Sequence, residues 1–187
     1  RIAPEKKIDV LIKTMQYTSK TKLFIIGDGT YLNNLKEIAK KFKVFNKVIF
    51  LGKIPNNELA KYYSSADIFA TASEFETCGF TTIEAMTCGL TALVYPKGGS
   101  INLIDDGVNG FFCKNEKEFA KKIRLLRKDK NKLIKMSEEA LKSTQNYSIE
   151  KSCGQLLKDY QFQIDSYLFE IDNPSPWKFG LISTFIK

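Results

Sequence analysis

Five short apolar runs punctuate the first 113 residues of the chain. They are rich in β-branched and aromatic residues, and Gly, Asp or Pro bounds most of them, a pattern that predicts strands buried on both faces. The runs are KLFIIG (22–27), KVIFLG (47–52), DIFATA (67–72), TALVYP (91–96) and GFFC (110–113).

The segments between these runs show the helical period instead. In KKIDVLIKTMQY, the residues Ile8, Leu11, Ile12 and Met15 fall on one face, and YLNNLKEIAKKF and the shorter NNELAKYYSSA repeat the pattern. Strands that alternate with helices of this kind form right-handed βαβ units. We therefore predict an α/β fold with a Rossmann-like parallel sheet and helices on both of its faces.

From about residue 115 onward the pattern is helical. Two amphipathic stretches, EKEFAKKIRLLRKD and KNKLIKMSEEALKSTQNY, precede a third that begins near Ser148. We predict that residues 1–145 form the Rossmann-like domain and that residues 146–187 form a C-terminal helix and tail. Because the chain starts with Arg1 rather than Met, we expect it to belong to a longer protein and this extension to pack on an N-terminal domain.

Ligands of parallel α/β sheets bind outside the carboxyl ends of the strands, so the loops at those ends are the candidate binding loops. The first, GDGTY, places Gly27 and Gly29 between a strand and a helix, where backbone amides can approach a ligand. An ordinary glycine turn explains this loop equally well, because glycine is common between strands and helices.

A second loop, SEFETCGFTTIEAM (73–86), combines a glycine turn with two acids. A helix starting after Gly79 leaves the amides of residues 79–82 unpaired, which suits an anion such as a diphosphate. Glu76 before the turn and Glu84 inside the helix can accept hydrogen bonds from sugar hydroxyls. The pattern fits a nucleotide sugar, but Glu84 could equally serve only to complement the helix dipole.

Composition narrows the chemistry further. The chain has 187 residues, a net charge of +8, four cysteines and no histidine. Without histidine, and with no C-x-x-C spacing, a zinc site and Ser-His-Asp or Cys-His catalysis are not expected. The positive charge indicates either a phosphate-bearing partner or a solvated lysine-rich surface, and the absence of a nucleic-acid-binding motif argues against nucleic acid. The cysteines fit reduced thiols in an intracellular compartment.

Seven landmarks in order make the chain resemble the C-terminal, donor-binding domain of GT-B-fold retaining glycosyltransferases of family four, the glycosyl transferases group 1. The resemblance covers about residues 1–145. Within the family, the Glu-Thr-x-Gly sequence is similar to that of sulfoquinovosyl-diacylglycerol synthases. The landmarks are RIAPEKKID, GDG, FLGKI, SADIFATAS, SEFETCGFTTIEAMTCG, KGGS and DDGVNGFF.

The resemblance implies a role for each matching residue. Arg1 and Lys6 correspond to the pair that neutralises the donor diphosphate, and Glu76 to the acid that holds the donor sugar; these three are the expected catalytic residues. Glu84 corresponds to the acid that binds ribose. Lys7 stands where relatives usually have Gly, so the lysine assignment could shift by one. The remaining expected donor-binding residues are Gly27, Gly29, Lys53, Ile54, Gly79, Phe80 and Thr81.

The implied function is transfer of a glycosyl group from a nucleotide-diphosphate sugar, with a UDP-sugar favoured, to an acceptor with retention of configuration. No cofactor and no metal are expected, since the chain has no Asp-x-Asp sequence. The acceptor, for which a lipid is one candidate, is expected to bind mainly to the N-terminal domain, and this chain alone to be inactive. Peripheral membrane contact is left open, as is a cytoplasmic or plastid location.

Two alternatives to a transferase stay open at this point. One is a non-catalytic module that binds nucleotide sugars or regulates another domain. The other is a nucleotide-sugar epimerase of the same GT-B fold, although epimerases usually carry histidines in this half. The joint presence of Arg1, Lys6, Glu76 and Glu84 argues against loss of the chemistry.

Overall fold

The computed structural model describes the backbone of residues 1–172, together with their side chains other than those of 146, 149, 150, 152, 153, 155, 156 and 167–172. Within this range the chain forms five strands and seven α-helices. The strands are β1 (Leu23–Ile26), β2 (Val48–Gly52), β3 (Ile68–Thr71), β4 (Thr91–Val94) and β5 (Gly110–Phe112). The helices are α1 (Ile8–Thr14), α2 (Leu32–Lys41), α3 (Asn56–Ser64), α4 (Phe80–Thr87), α5 (Glu116–Lys128), α6 (Lys130–Thr144) and α7 (Ile149–Asp172).

Every strand pairing is parallel, as the alternation of strands and helices predicts. β1 pairs with β2, with Leu23 opposite Val48, and β4 lies between β3 and β5. The strands form two sheets, β1-β2 and β3-β4-β5, rather than one. Hydrophobic patterning identifies a strand but not its neighbour, so it does not reveal this division.

Helix α1 connects the cores of the two sheets. Its Leu11 packs in a cluster with Leu93 of β4 and Phe111 of β5, while the adjacent Ile12 packs in a second cluster with Ile25 of β1. Consecutive residues of a helix point about 100° apart, so one helix can bury two faces in this way. α1 therefore holds the two sheets side by side.

The carboxyl ends of the strands lie at a common edge, where hydrogen bonds extend the pairing past the strands. The Gly27 amide donates to the carbonyl of Gly52 at 2.7 Å, and the Tyr95 amide donates to the carbonyl of Thr71 at 3.0 Å. The strand ends of each sheet are thus aligned. This alignment brings together the loops that the sequence singles out for ligand binding.

The C-terminal part begins with the predicted helix. The chain divides into two compact units after Gln145. The Lys151 amide donates to Ser148 Oγ at 3.3 Å, so Ser148 caps α7 as expected. The tail from 173 onward lies outside the described residues, and its packing on another domain stays a prediction. No helix among the described residues combines the length and apolarity needed to cross a membrane.

Candidate functional site

A cleft of about 1230 Å³ lies between the two sheets and reaches the carboxyl ends of their strands. Its walls include β1 and β3, which face each other across the gap between the sheets. Most of the residues singled out in the sequence line this one cleft. They are Arg1, Lys6, Gly27, Gly29, Lys53, Ile54, Glu76, Thr81 and Glu84.

Gly79 and Phe80 do not line the cleft. Gly79 is buried in a left-handed conformation (φ 68°) directly before α4, and a Cβ there would lie 2.9 Å from Leu103 Cδ1. Its role in the described structure is to make the turn that starts the helix. The Phe80 side chain is 67% exposed. The Thr82 amide, expected to be unpaired, donates instead to the Gly79 carbonyl at 2.9 Å because the first helical turn is tight.

Lys6 and Glu76 are in direct contact in the cleft. Lys6 Nζ donates to Glu76 Oε1 at 2.6 Å, and both side chains are largely shielded from solvent. A charge-assisted hydrogen bond of this length fixes both groups. The lysine and the glutamate, separated by 70 positions in the chain, are therefore held together in the cleft.

A second ion pair lies beside the first. Lys7 donates to Glu74, and Lys97 Nζ lies 3.9 Å from the same Glu74 oxygen. The hydrogen bond to Lys7 lowers the pKa of Glu74, and in turn Glu74 raises the pKa of Lys7. The Lys7 ammonium also lies 5.6 Å from the centre of the Tyr95 ring. Sequence reasoning missed Glu74, because its partner Lys7 lies 67 positions away in the chain.

The backbone distinguishes the two lysines. Lys6 ends a short 3₁₀ helix (Pro4–Lys6), whereas Lys7 adopts a left-handed conformation with φ 48°. Glycine is the residue that takes this conformation without steric cost, which explains why glycine suits the position of Lys7. Lys6 lines the cleft and Lys7 does not, so the structure places Lys6 rather than Lys7 opposite Glu76.

Two glycines hold the loop that carries the acids. A Cβ on Gly99 would lie 2.1 Å from the Thr77 carbonyl oxygen, and the Gly99 amide donates to the Glu76 carbonyl at 2.6 Å. Gly98 is left-handed with φ 74°, and a Cβ there would lie 3.1 Å from the Glu74 carbonyl oxygen. Only residues without a side chain permit this contact. The main chain around Glu76 is thereby fixed by Gly98 and Gly99, while its side chain contacts Lys6.

The N-terminal segment is fixed against the GDG loop in the same manner. The Ile2 amide donates to the carbonyl of Asp28 at 2.8 Å, and a Cβ on Gly29 would lie 2.0 Å from the Ile2 carbonyl oxygen. Ile2 is fully buried, while Arg1 is exposed and pairs with Glu5 at 2.8 Å. The exposed ion pair is weak, so the Arg1 guanidinium is available at the mouth of the cleft.

Glu84 lies at the exposed side of the cleft, where α3 and α4 meet. The Tyr63 hydroxyl donates to Glu84 Oε2 at 3.2 Å. Burial, with the Glu84 carboxylate as a further cause, raises the pKa of Tyr63, so its hydroxyl stays protonated and able to donate. Nothing in the spacing of NNELAKYYSSA marks Tyr63, because its partner lies on a different helix. Among the described residues no group of acids and cysteines is arranged to hold a metal ion.

Comparisons with known proteins identify the family of the chain. The family model for glycosyl transferases group 1 matches residues 1–143. The alpha-monoglucosyldiacylglycerol synthase of Streptococcus pneumoniae is 36% identical over 124 residues, 64% of this chain and 28% of that protein. Sulfoquinovosyl transferase SQD2 of Arabidopsis thaliana is 30% identical over 152 residues, 79% and 29% respectively, which confirms the similarity read from Glu-Thr-x-Gly.

Among solved structures, Anabaena Alr3699/HepE in complex with UDP and glucose superposes with a TM-score of 0.79 at 23% identity, covering 86% of this chain and 46% of that one. This likeness confirms the fold as that of one half of a GT-B glycosyltransferase. The chain spans less than a third of the length of the two curated relatives named above. From the match over residues 1–143, the chain belongs to the glycosyl transferases group 1 family.

Proposed function

We propose that this chain is the donor-binding part of a retaining glycosyltransferase that takes the glycosyl group from a UDP-sugar. The observation that carries the proposal is the convergence of Arg1, Lys6, Glu76 and Glu84 on one cleft from distant parts of the sequence. Cations suit a diphosphate and carboxylates suit hydroxyls, and a nucleotide sugar presents both in one ligand. The UDP and glucose bound to Alr3699/HepE support the choice of base.

The proposed mechanism assigns each of these groups to one part of the donor. Arg1 and Lys6 neutralise the diphosphate as negative charge develops on it when the bond to the sugar breaks. Glu76 gives up part of its contact with Lys6 and accepts hydrogen bonds from the sugar hydroxyls. Glu84 accepts hydrogen bonds from the ribose, and the backbone near Lys53 and Ile54 receives the base. Thr81 lies next to the phosphates at the start of α4, and Gly27 and Gly29 border the cleft.

The ion pair between Lys6 and Glu76 has a specific purpose in this proposal. A lysine left unpaired would attract any anion, and a glutamate left unpaired would reorient in solvent. Paired at 2.6 Å, the two groups are already in place and need only share their hydrogen bonds with the incoming donor. The arrangement is thus prepared for a ligand that brings a phosphate and a hydroxyl together.

We propose a lipid as the acceptor, with most of its contacts made by a domain outside this chain. The support comes from the name of the pneumococcal relative, a synthase of alpha-monoglucosyldiacylglycerol, which is a lipid that carries a glucosyl group. Retention of configuration follows from the family resemblance. Because the acceptor site lies elsewhere, we expect the 187-residue chain to bind donor without turnover; detectable transfer by this chain would contradict that part.

Calorimetric titration with UDP, GDP and ADP tests the donor site. We expect UDP to bind best, and Glu84→Gln and Lys6→Met each to weaken UDP binding about tenfold, about 1.4 kcal/mol. Glu138→Gln, an exposed acid on α6 outside the cleft, is the matched control and should bind like the wild type. The proposal fails if no nucleotide binds with a dissociation constant below about 1 mM, or about −4 kcal/mol.

A further inference from the structure

The hydrogen bond between Tyr63 and Glu84 is the feature of the cleft that the proposed function leaves unexplained. Both side chains line the cleft, Tyr63 from α3 and Glu84 from α4. The Tyr63 hydroxyl is bound to Oε2 alone, at 3.2 Å. One carboxylate oxygen is therefore held, and Oε1 is free to accept from a ligand.

Glu84 depends on this contact for its orientation. The lysines that pair with Glu74 and Glu76 do not reach it, and Tyr63 is the one described side chain that forms a hydrogen bond with it. An exposed glutamate otherwise samples several rotamers, and ordering it on ligand binding costs rotamer entropy. A single hydrogen bond to a fixed partner removes part of that freedom before the ligand arrives.

Tyr63 is itself firmly placed. Its ring is half-buried and meets the Phe69 ring of β3 edge to face, with the centroids 6.3 Å apart and the planes at 69°. This packing involves only the ring and does not require the hydroxyl. The hydroxyl is therefore the part of Tyr63 that serves Glu84, and a phenylalanine would keep the packing while removing the hydrogen bond.

We propose that Tyr63 is a positioning residue that holds Oε2 of Glu84 so that Oε1 faces the ribose 2′- and 3′-hydroxyls, and that it thereby favours ribonucleotide over 2′-deoxyribonucleotide donors. The inference rests on the proposed function, in which Glu84 binds ribose. A carboxylate held at one oxygen can accept from vicinal hydroxyls with the other in a single defined geometry. A ligand without the 2′-hydroxyl cannot form the hydrogen bond from that hydroxyl to Oε1 of Glu84, and it therefore binds less tightly.

The test compares the affinities of UDP and 2′-deoxy-UDP for the wild type, Tyr63→Phe and Tyr62→Phe. Tyr62 precedes Tyr63 on α3 and lines the same cleft, but its hydroxyl makes no hydrogen bond to Glu84 within the described part of the chain, so it is the matched control. We expect Tyr63→Phe to weaken UDP binding about fivefold, the usual effect of one such hydrogen bond, and to change 2′-deoxy-UDP binding by less than about twofold. Tyr62→Phe should leave the ratio of the two affinities unchanged.

A double-mutant cycle separates positioning from general structural damage. In a Glu84→Ala background, Tyr63→Phe should have no further effect on UDP binding, because the carboxylate that it positions is gone. Equal weakening of both ligands by Tyr63→Phe, or an undiminished effect in the Glu84→Ala background, would overturn the inference. If the wild type binds UDP and Tyr63→Phe binds it equally well, this inference fails alone; if the wild type does not bind UDP, the proposed function fails with it.

Discussion

At the scale of single residues, Lys6 and Lys7 show how adjacent positions acquire different roles. Lys6 reaches Glu76 inside the cleft, and Lys7 reaches Glu74 beside it. The difference arises in the backbone. Lys7 has a left-handed conformation, so its side chain points in a different direction from that of Lys6. A lysine in that conformation carries a steric cost that glycine would avoid.

That cost can be measured by replacing Lys7. Lys7→Gly and Lys7→Ala both remove the ion pair with Glu74, but only Ala keeps a Cβ in the left-handed conformation. We expect Lys7→Ala to be less stable than Lys7→Gly by about 1 kcal/mol. Urea unfolding, with equal m-values for the two variants, gives the difference in the free energy of unfolding. Equal stabilities would show that Lys7 is not left-handed in solution.

The residues of the site divide into those that sequence could predict and those that it could not. Glu76 and Glu84 were identifiable because a strand end, a glycine turn and a helix start lie close together in the chain. Tyr63 and Glu74 were not, since their roles depend on partners 21 and 67 positions away. A side chain whose role depends on a contact with a distant element is not marked by the spacing of hydrophobic and polar residues in its own segment.

At the scale of elements, α5 shows a helix start that its own sequence determines. Asn115 Oδ1 accepts from the amides of Lys117 and Glu118 at 3.1 and 3.0 Å, and Glu118 Oε2 accepts from the Lys114 amide at 2.9 Å. Together these bonds form a cap in which the residue before the helix and the third residue inside it satisfy free amides. Such a start is local and needs no tertiary partner.

We expect Asn115→Ala to lower the free energy of unfolding by about 1 kcal/mol, because two amides at the start of α5 lose their acceptor. Asn115→Asp keeps an acceptor in the same place and is the matched control. Thermal unfolding followed by circular dichroism measures both variants. If Asn115→Ala and Asn115→Asp unfold at the same temperature, the cap does not contribute to stability.

The elements themselves were largely predictable, but their assembly was not. All five strands lie within the apolar runs identified in the sequence, because short β-branched and aromatic runs between turn residues suit strands. The division into two sheets depends on which strand edges approach each other, and the gap between β1 and β3 has no counterpart in either strand's own sequence. The hydrophobic pattern of a segment identifies it as a strand or a helix, whereas tertiary packing determines which elements lie next to it.

At the scale of the whole molecule, the accessibility of one cysteine, Cys113, shows whether the main core is folded. Cys113 is fully buried and packs in a cluster to which α1, β4, β5, α5 and α6 contribute. Burial raises the pKa of its thiol to about 12. Cys78, by contrast, is exposed on the loop between β3 and α4.

We expect iodoacetamide at pH 8 to label Cys78 in the folded chain and to leave Cys113 unmodified. Because burial raises the pKa of the Cys113 thiol well above this pH, Cys113 stays protonated, and the thiolate is the reactive form. With increasing urea, Cys113 should become labelled in the same transition that unfolds the core. Peptide mapping by mass spectrometry follows each thiol separately, and labelling of Cys113 at the rate of Cys78 in native buffer would contradict the buried position.

Gly98 and Gly99 determine which positions of the loop between β3 and α4 can be substituted. They hold residues 74–77 through main-chain contacts, and the side chains of Thr77 and Cys78 are exposed and take no part in those contacts. Mutations at Thr77 or Cys78 therefore change what the loop presents to a ligand without moving its frame, whereas either glycine tolerates almost no replacement. The loop can therefore acquire new side chains at these two exposed positions while its main chain keeps the same shape.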